Sequence, residues 1–188
     1  MPEAESGAAD PKQDLLAARA GDQRAASDLI RTHGASMLRT AWRVLGRHGD
    51  SAAEDVVQEA FIAALSTPAL PVGEVGAWLR AITARKALDW LRGESRRGEV
   101  PLPHGPRPGV AEGGRRDRAL DVVILREGLS RLPAADRAIL TLVDLEGWSM
   151  TEAARMLRLS HVAVRLRASR ARRRLARYVR GEGGKRHE

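Results

Sequence analysis

Between Arg158 and Arg180 the chain carries nine arginines and no acidic residue. A guanidinium is permanently charged, and its planar fork of donors fits two acceptors at once, either phosphate oxygens or the O6/N7 edge of guanine. A helix that only needs solubility mixes both signs to gain i,i+4 support, so an acid-free basic run points to a polyanion. At about 100° per residue, Val164, Ala168, Ala171, Leu175, Tyr178 and Val179 share one arc, and Arg165, Arg170, Arg173, Arg177 and Arg180 face away. Side chains in the first turns of such a helix reach base edges and later ones neutralise phosphates, which assigns Arg165 and Arg170 to bases and Arg173 and Arg177 to the backbone. Val162, Leu166 and Ser169 lie on the same exposed arc, where Leu166 suits a thymine methyl. The competing reading is a solvated arginine face on an ordinary bundle helix.

A second constellation has the opposite sign. On a helix from Ser51 to Leu65, Val56, Val57, Ala60, Phe61, Ala64 and Leu65 form the inner arc, while Asp55, Gln58, Glu59 and Ile62 cluster outside. Acids around one apolar residue, in a chain with 32 Lys plus Arg against 24 Asp plus Glu and a net charge of +8, suit a basic protein partner better than DNA. A plain solvated face is the alternative. A third helix, Ala77 to Arg92, interleaves Trp78, Leu79, Ile82 and Leu88 with Arg80, Arg85, Lys86 and Arg92. Trp78 belongs either to the core or against an unpaired base, and Trp42, Trp90 and Trp148 read as core.

Nothing in the chain suggests catalysis. His33, His48, His104, His161 and His187 are scattered, and no phosphate loop, metal-ligand spacing or nucleophile with its base occurs. The absence of cysteine removes disulfides, thiolate metal sites and cysteine nucleophiles together, so no cofactor or metal is expected. No window of 18 apolar residues could span a membrane, and Met1 to Asp10 lack the basic and apolar stretches of a secretory signal. The expected compartment is the cytoplasm.

The elements that must position these residues read as helices throughout. Asp10 with Gln13, Ser51 with Glu54, and Ser149 with Glu152 have the spacing of N-caps with N3 partners. Breaks are expected near Gly21-Asp22, His33-Gly34, Gly46 to Asp50, Pro68 to Gly76, Leu132-Pro133 and Glu146-Gly147. From Gly93 to Arg118 the text turns rich in Gly, Pro and Arg with almost no large apolar residue, which reads as a linker. The expectation is an all-α protein of two small helical domains, 11–92 and 119–180, joined by a flexible tether at 93–118, with loose ends at 1–10 and 181–188. The second domain places a short helix, a three-residue turn at Arg158-Leu159-Ser160 and a long helix in helix-turn-helix, winged-helix-like order.

These segments resemble a known family. Ala53-Glu54-Asp55-Val56-Val57-Gln58-Glu59-Ala60-Phe61, Ala77-Trp78-Leu79-Arg80-Ala81-Ile82 and Leu88-Asp89-Trp90-Leu91-Arg92 are similar to region 2 of bacterial extracytoplasmic-function (ECF) sigma factors. Leu129-Ser130-Arg131-Leu132-Pro133, Leu145-Glu146-Gly147-Trp148-Ser149, Glu152-Ala153-Ala154 and Val164 to Arg172 are similar to region 4. The resemblance implies a dissociable specificity subunit of core RNA polymerase that directs promoter-specific initiation. Region 2 would dock through Asp55, Gln58, Glu59 and Ile62 on the clamp helices of the largest subunit and capture melted minus-10 bases with Trp78, Arg80 and Arg85. Region 4 would read duplex minus-35 DNA with His161, Val162, Arg165, Leu166, Ser169, Arg170 and Arg173 and touch the flap of the second-largest subunit. An anti-sigma factor is the implied regulator, and the nucleoid the implied place of work in the holoenzyme. Arg85 stands where the family usually has asparagine, Ala163 for threonine, Leu166 for serine and Ala168 for a larger aliphatic.

The competing function is a stand-alone helix-turn-helix regulator that needs no polymerase. Geometry is compatible with the sigma reading: the 26 residues from Gly93 to Arg118 reach at most roughly 90 Å when extended, and elements about 25 base pairs apart lie some 85 Å apart on DNA.

Overall fold

The structure, a computed structural model, describes residues 11–71, 73–97 and 125–180. The expected cap Asp10, both loose ends and most of the tether lie outside these residues. In chain order come α1 (Pro11–Arg19), α2 (Gln23–Leu45), a 3-10 turn (Gly46–His48), α3 (Gly49–Ser66) and α4 (Val75–Arg97). They are followed by α5 (residues 125–130), α6 (Ala134–Leu140) with a π-helical continuation (Thr141–Leu145), α7 (Met150–Leu157) and α8 (His161–Val179). No strand occurs among the described residues, so the helix-turn-helix carries no β wing there.

Local chemistry explains most boundaries and three departures from expectation. Asp22 caps α2 by accepting from the Arg24 and Ala25 amides at 2.8 and 3.1 Å, after Gly21 has turned the chain at φ +98. The helix then runs straight through His33-Gly34. One mid-helix glycine costs about 1 kcal/mol, less than the burial of Leu29, Met37 and Ala41 around it contributes. Ser51 is not the cap of α3, which starts at Gly49 directly off the 3-10 turn, and its hydroxyl donates back to the His48 carbonyl at 3.2 Å. At the far end α4 continues to Arg97, so residues 93–97 are helical rather than part of the tether. Glycine and charge there lower propensity without breaking a ladder that Leu88 and Leu91 already anchor.

The N-terminal group packs α2, α3 and α4 around Met37, Val44, Leu45, Val56 and Leu79. Alanines 41, 52, 53, 60, 64, 81, 84 and 87 are all buried among them, which lets the axes approach closely. In the C-terminal group Leu129, Leu132, Leu140 and Ala171 form a small cluster. The two groups are in contact: Ile139, Leu142, Leu157 and Val164 belong to the same continuous core as α2 and α4.

One side chain joins them most directly. Arg137 on α6 is buried, and its Nε donates to the Val44 carbonyl at 2.7 Å and its Nη2 to that of Leu45 at 3.3 Å. Its Nη1 donates to the carbonyls of Leu132 at 2.6 Å and Ser130 at 3.3 Å. The last carbonyls of α2 have no partners within the helix and sit at the negative end of its dipole, so they receive a cation without a carboxylate. Burial, with Arg47 nearby, pulls the Arg137 pKa down to about 10, which still leaves it charged at neutrality. Gly46 makes this possible: it turns at φ +62, and a Cβ there would stand 3.2 Å from Arg137 Cζ. Gly46→Ala should therefore lower stability in urea by about 1–3 kcal/mol. Gly73→Ala, with nothing within 4 Å of the added carbon, should stay within about 0.5 kcal/mol of the parent chain.

Candidate nucleic-acid and partner interfaces

The helix-turn-helix is built by its caps. Ser149 Oγ accepts from the Glu152 amide at 3.2 Å, and Glu152 Oε2 accepts from the Ser149 amide at 3.0 Å and from its hydroxyl at 2.6 Å. Those bonds hold the Glu152 carboxyl below the usual carboxylate range. Arg158 closes α7 in the left-handed region at φ 54, and Ser160 opens α8 by accepting from the Ala163 amide at 3.1 Å. The three-residue turn is the one the sequence suggests.

The arginines of α8 divide in two. Arg167 and Arg174 reach the two oxygens of Asp136 at 3.1 and 3.7 Å, and Arg172 forks onto Asp144 at 3.0 and 2.6 Å. Asp136 is only 6% exposed, so these pairs pin the helix to α6. Arg165, Arg170 and Arg177 are exposed with no carboxylate partner among the described residues, and Arg173 donates only to Ser169 Oγ at 3.0 Å. His161 is exposed, Ser169 half-buried, Val162 73% exposed and Leu166 48% exposed, so all seven expected minus-35 residues lie at or near one open face. The packing side is Val164, Ala168 and Ala171 with Leu175 and Tyr178 half-buried. Val179 does not pack as the arc suggests, because it closes the helix beyond the leucine cluster that covers Ala171 and Leu175.

On α3 the inner arc is buried or half-buried as expected, and Asp55, Gln58, Glu59 and Ile62 share the outer face. Ile62 is 59% exposed there, and Glu59 meets Lys86 at 3.3 Å.

The three α4 residues do not share one environment. Trp78 and Arg85, seven apart, lie on one helix face. Trp78 is half-buried with the Arg19 guanidinium 5.9 Å from its ring centre, and Arg85 meets Asp89 at 3.9 Å. Arg80 points elsewhere and pairs with Glu146 of the C-terminal group. Sequence reasoning missed two participants. Arg19 donates to the carbonyls of Ala64 (3.0 Å), Pro68 (3.4 Å) and Ala69 (3.2 Å), capping α3 and fixing the loop after it. Glu146 read as an ordinary turn residue, since its partners are 66 and more positions away. Among the described residues no cluster could hold a metal and no helix is long and apolar enough to cross a membrane.

Comparison with known proteins covers both groups. Residues 29–97 match the family described as Sigma-70 region 2, and residues 123–175 that described as Sigma-70, region 4. The ECF RNA polymerase sigma factor SigM of Mycobacterium tuberculosis is 33% identical over 173 residues, covering 88% of this chain and 83% of SigM. The RNA polymerase sigma factor CnrH of Cupriavidus metallidurans is 32% identical over 182 residues, 86% of this chain and 91% of CnrH. The solved structure of CnrH with the cytosolic domain of CnrY superposes with a TM-score of 0.60 at 28% identity, over 92% of this chain and 99% of that one.

The division of the α8 arginines is testable without DNA. Asp136→Ala should lower the urea-unfolding free energy by about 1–2 kcal/mol, because it unpins two half-exposed arginines from a buried anchor. Arg165→Ala should change it by less than about 0.5 kcal/mol. Equal losses would mean that Arg165 also holds the fold.

Proposed function

The chain belongs to the ECF family of RNA polymerase sigma factors, and from that premise we infer how its surfaces divide the work. It binds core RNA polymerase and directs promoter-specific initiation, a binding function in a non-enzymatic class of initiation factors. A stand-alone helix-turn-helix regulator is not favoured, since such a protein has no use for region 2.

In this reading region 4, with α8 at its face, takes the minus-35 duplex. Arg165 and Arg170 read base edges, Val162 and Leu166 offer apolar contacts, His161 and Ser169 border them, and Arg173 neutralises phosphate. The observation that carries it is the segregation on α8: among the described residues the arginines facing the core side have acids, and those facing out have none. In region 2, Trp78 and Arg85 offer an aromatic face and a cation to an unpaired minus-10 base, with Arg80 for the backbone. Melting a few base pairs costs several kcal/mol, and base capture together with polymerase contacts offsets it. Asp55, Gln58, Glu59 and Ile62 dock on the clamp helices of the largest polymerase subunit, an exposed isoleucine amid acids being suited to a basic partner with an apolar centre. The flap of the second-largest subunit is the expected contact of region 4.

We assign residues 11–97 to region 2, 119–180 to region 4 and the interval to the tether. The protein works in the cytoplasm, on the nucleoid while in holoenzyme. CnrH is solved with CnrY, and a protein inhibitor of that kind is the regulator we propose for this chain.

Run-off transcription with core polymerase and genomic DNA, with start sites mapped, tests the reading. Arg165→Ala or Arg170→Ala should lower promoter-specific transcription roughly 5- to 150-fold, matching about 1–3 kcal/mol per bidentate contact, while polymerase binding stays intact. Asp55→Lys with Glu59→Lys should instead weaken polymerase capture in a pull-down. If the α8 variants lose both activities equally, the assignment is wrong.

A further inference from the structure

α1 lies outside the stretch that matches region 2, which starts at residue 29. It is nonetheless mounted on that region: Leu15 and Ala18 are buried in the core, and Arg19, the last residue of α1, reaches partners 45 to 50 positions along the chain. Its Nε and Nη2 donate to the Ala64 carbonyl at 3.3 and 3.0 Å, its Nη1 to that of Pro68 at 3.4 Å and its Nη2 also to that of Ala69 at 3.2 Å. The Ser66 and Thr67 hydroxyls donate to the carbonyls just before, of Ile62 and Ala63, at 2.8 and 2.7 Å. The guanidinium therefore completes the C-terminal end of α3, where a cation is favoured, and carries on into the loop. Pro68 and Pro71 supply no amide hydrogen, so the loop has few donors of its own and Arg19 brings them from α1. The same guanidinium stands 5.9 Å from the centre of the Trp78 ring, near the outer limit of about 6 Å for a cation–π contact. One side chain thus touches the end of α3, the loop after it and the half-buried indole of α4.

We propose that Arg19 is a positioning residue for minus-10 capture, bracing the loop after α3 and the Trp78 indole as one surface for an unpaired base. The proposal deepens the reading of Trp78 as the aromatic that meets that base, and rests on it. A stacking surface gives most affinity when it is held before the base arrives, because ordering a loose side chain and loop on binding offsets part of the gain. Core packing holds the inner side of Trp78, and Arg19 holds the loop and the ring from outside. All three nitrogens of Arg19 already donate to carbonyls, which leaves it poorly placed to grip a phosphate, so its part is geometry rather than charge. Lysine, one nitrogen on a flexible stem, would keep the charge and lose the brace.

The test uses holoenzyme formed with core polymerase and a fluorescein-labelled single strand, the non-template minus-10 segment of a promoter mapped by run-off, with affinity read by anisotropy. Trp78→Leu, which keeps an apolar contact and removes the ring, should weaken binding about 5- to 150-fold. Arg19→Gln and Arg19→Lys should each weaken it at least about fivefold, with polymerase pull-down and helicity by circular dichroism unchanged. The slope of log affinity on log salt should stay that of the parent, since no phosphate contact is lost. Joined to Trp78→Leu, Arg19→Gln should add less than about twofold, the mark of a residue that acts through the ring. Arg31→Gln, the same charge change at an exposed pair with Asp28, should leave binding as it is. A folded Arg19→Lys chain that binds as the parent does, a shallower salt slope, or losses that multiply in the double variant each overturn the proposal. Loss of helicity in both Arg19 variants also overturns it, making Arg19 a residue of the fold alone, and loss in Arg19→Gln only leaves Arg19→Lys to decide. Undiminished binding by Trp78→Leu overturns the minus-10 reading of Trp78 and the proposal with it, whereas a loss at Trp78 with none at Arg19 overturns the proposal alone. Run-off that maps no start site overturns the initiation reading beneath both.

Discussion

A buried guanidinium with no acid beside it among the described residues governs how this protein is put together. Arg137 stays charged and is solvated by four backbone carbonyls, two at the end of α2 and two in the segment leading into α6. Carbonyls at a helix C-terminus are the only strong acceptors a chain supplies there without a side chain, and they cannot be protonated or swing away. The arrangement fixes α6 against α2. From α6 hang the π-helical turn with Asp144, the carboxylate of Glu146, and the Asp136 anchor of α8. Gly46 is the smallest part of the device and the least replaceable, because both its backbone angle and the space beside it are taken.

Arginine does three unlike jobs here, and the neighbours decide which. Arg137 is a structural cation in a dry site. Arg167, Arg172 and Arg174 are orienting cations, paired to acids at the edge of α6 and its continuation. The half-exposed Arg172–Asp144 pair adds little net stability, the pairs on buried Asp136 add more, and together they set the rotation of α8 about its axis. That rotation is what turns Arg165, Arg170 and Arg173 outward together. The same residue type thus builds the platform and presents the charge, and truncating it has opposite consequences at positions two or three apart.

Charge is likewise sorted at the scale of the molecule. The outward face of α8 is cationic, while the outer face of α3 is acidic with an isoleucine at its centre. Between them lies the alanine-rich packing of α2, α3 and α4, which keeps the small N-terminal group rigid with few large side chains. Trp78 fits that economy: it closes the core on one side and carries the Arg19 guanidinium on the other. Arg19 in turn holds the loop after α3 by its carbonyls.

The amino-acid sequence alone determined the helical class, the helix-turn-helix with its Ser149 and Ser160 caps, the outward arc of α8 and the acidic stripe of α3. All are periodic or local signals, settled within about four residues of the positions concerned. Local signals also misled, at Ser51, at His33-Gly34 and at residues 93–97; at Gly34 the burial of Leu29, Met37 and Ala41 outweighs propensity, and at the other two the helix continues from a neighbouring turn or ladder. Only the tertiary structure decided which α8 arginines are free, since Asp136 and Asp144 approach them from 28 residues and more away. Only it joined Arg80 to Glu146 and Arg137 to α2, across separations of 66 and 93 positions. Ion pairs and carbonyl contacts at that range leave no period in a sequence, because either partner is as ordinary in its own stretch of chain as any surface arginine or turn glutamate.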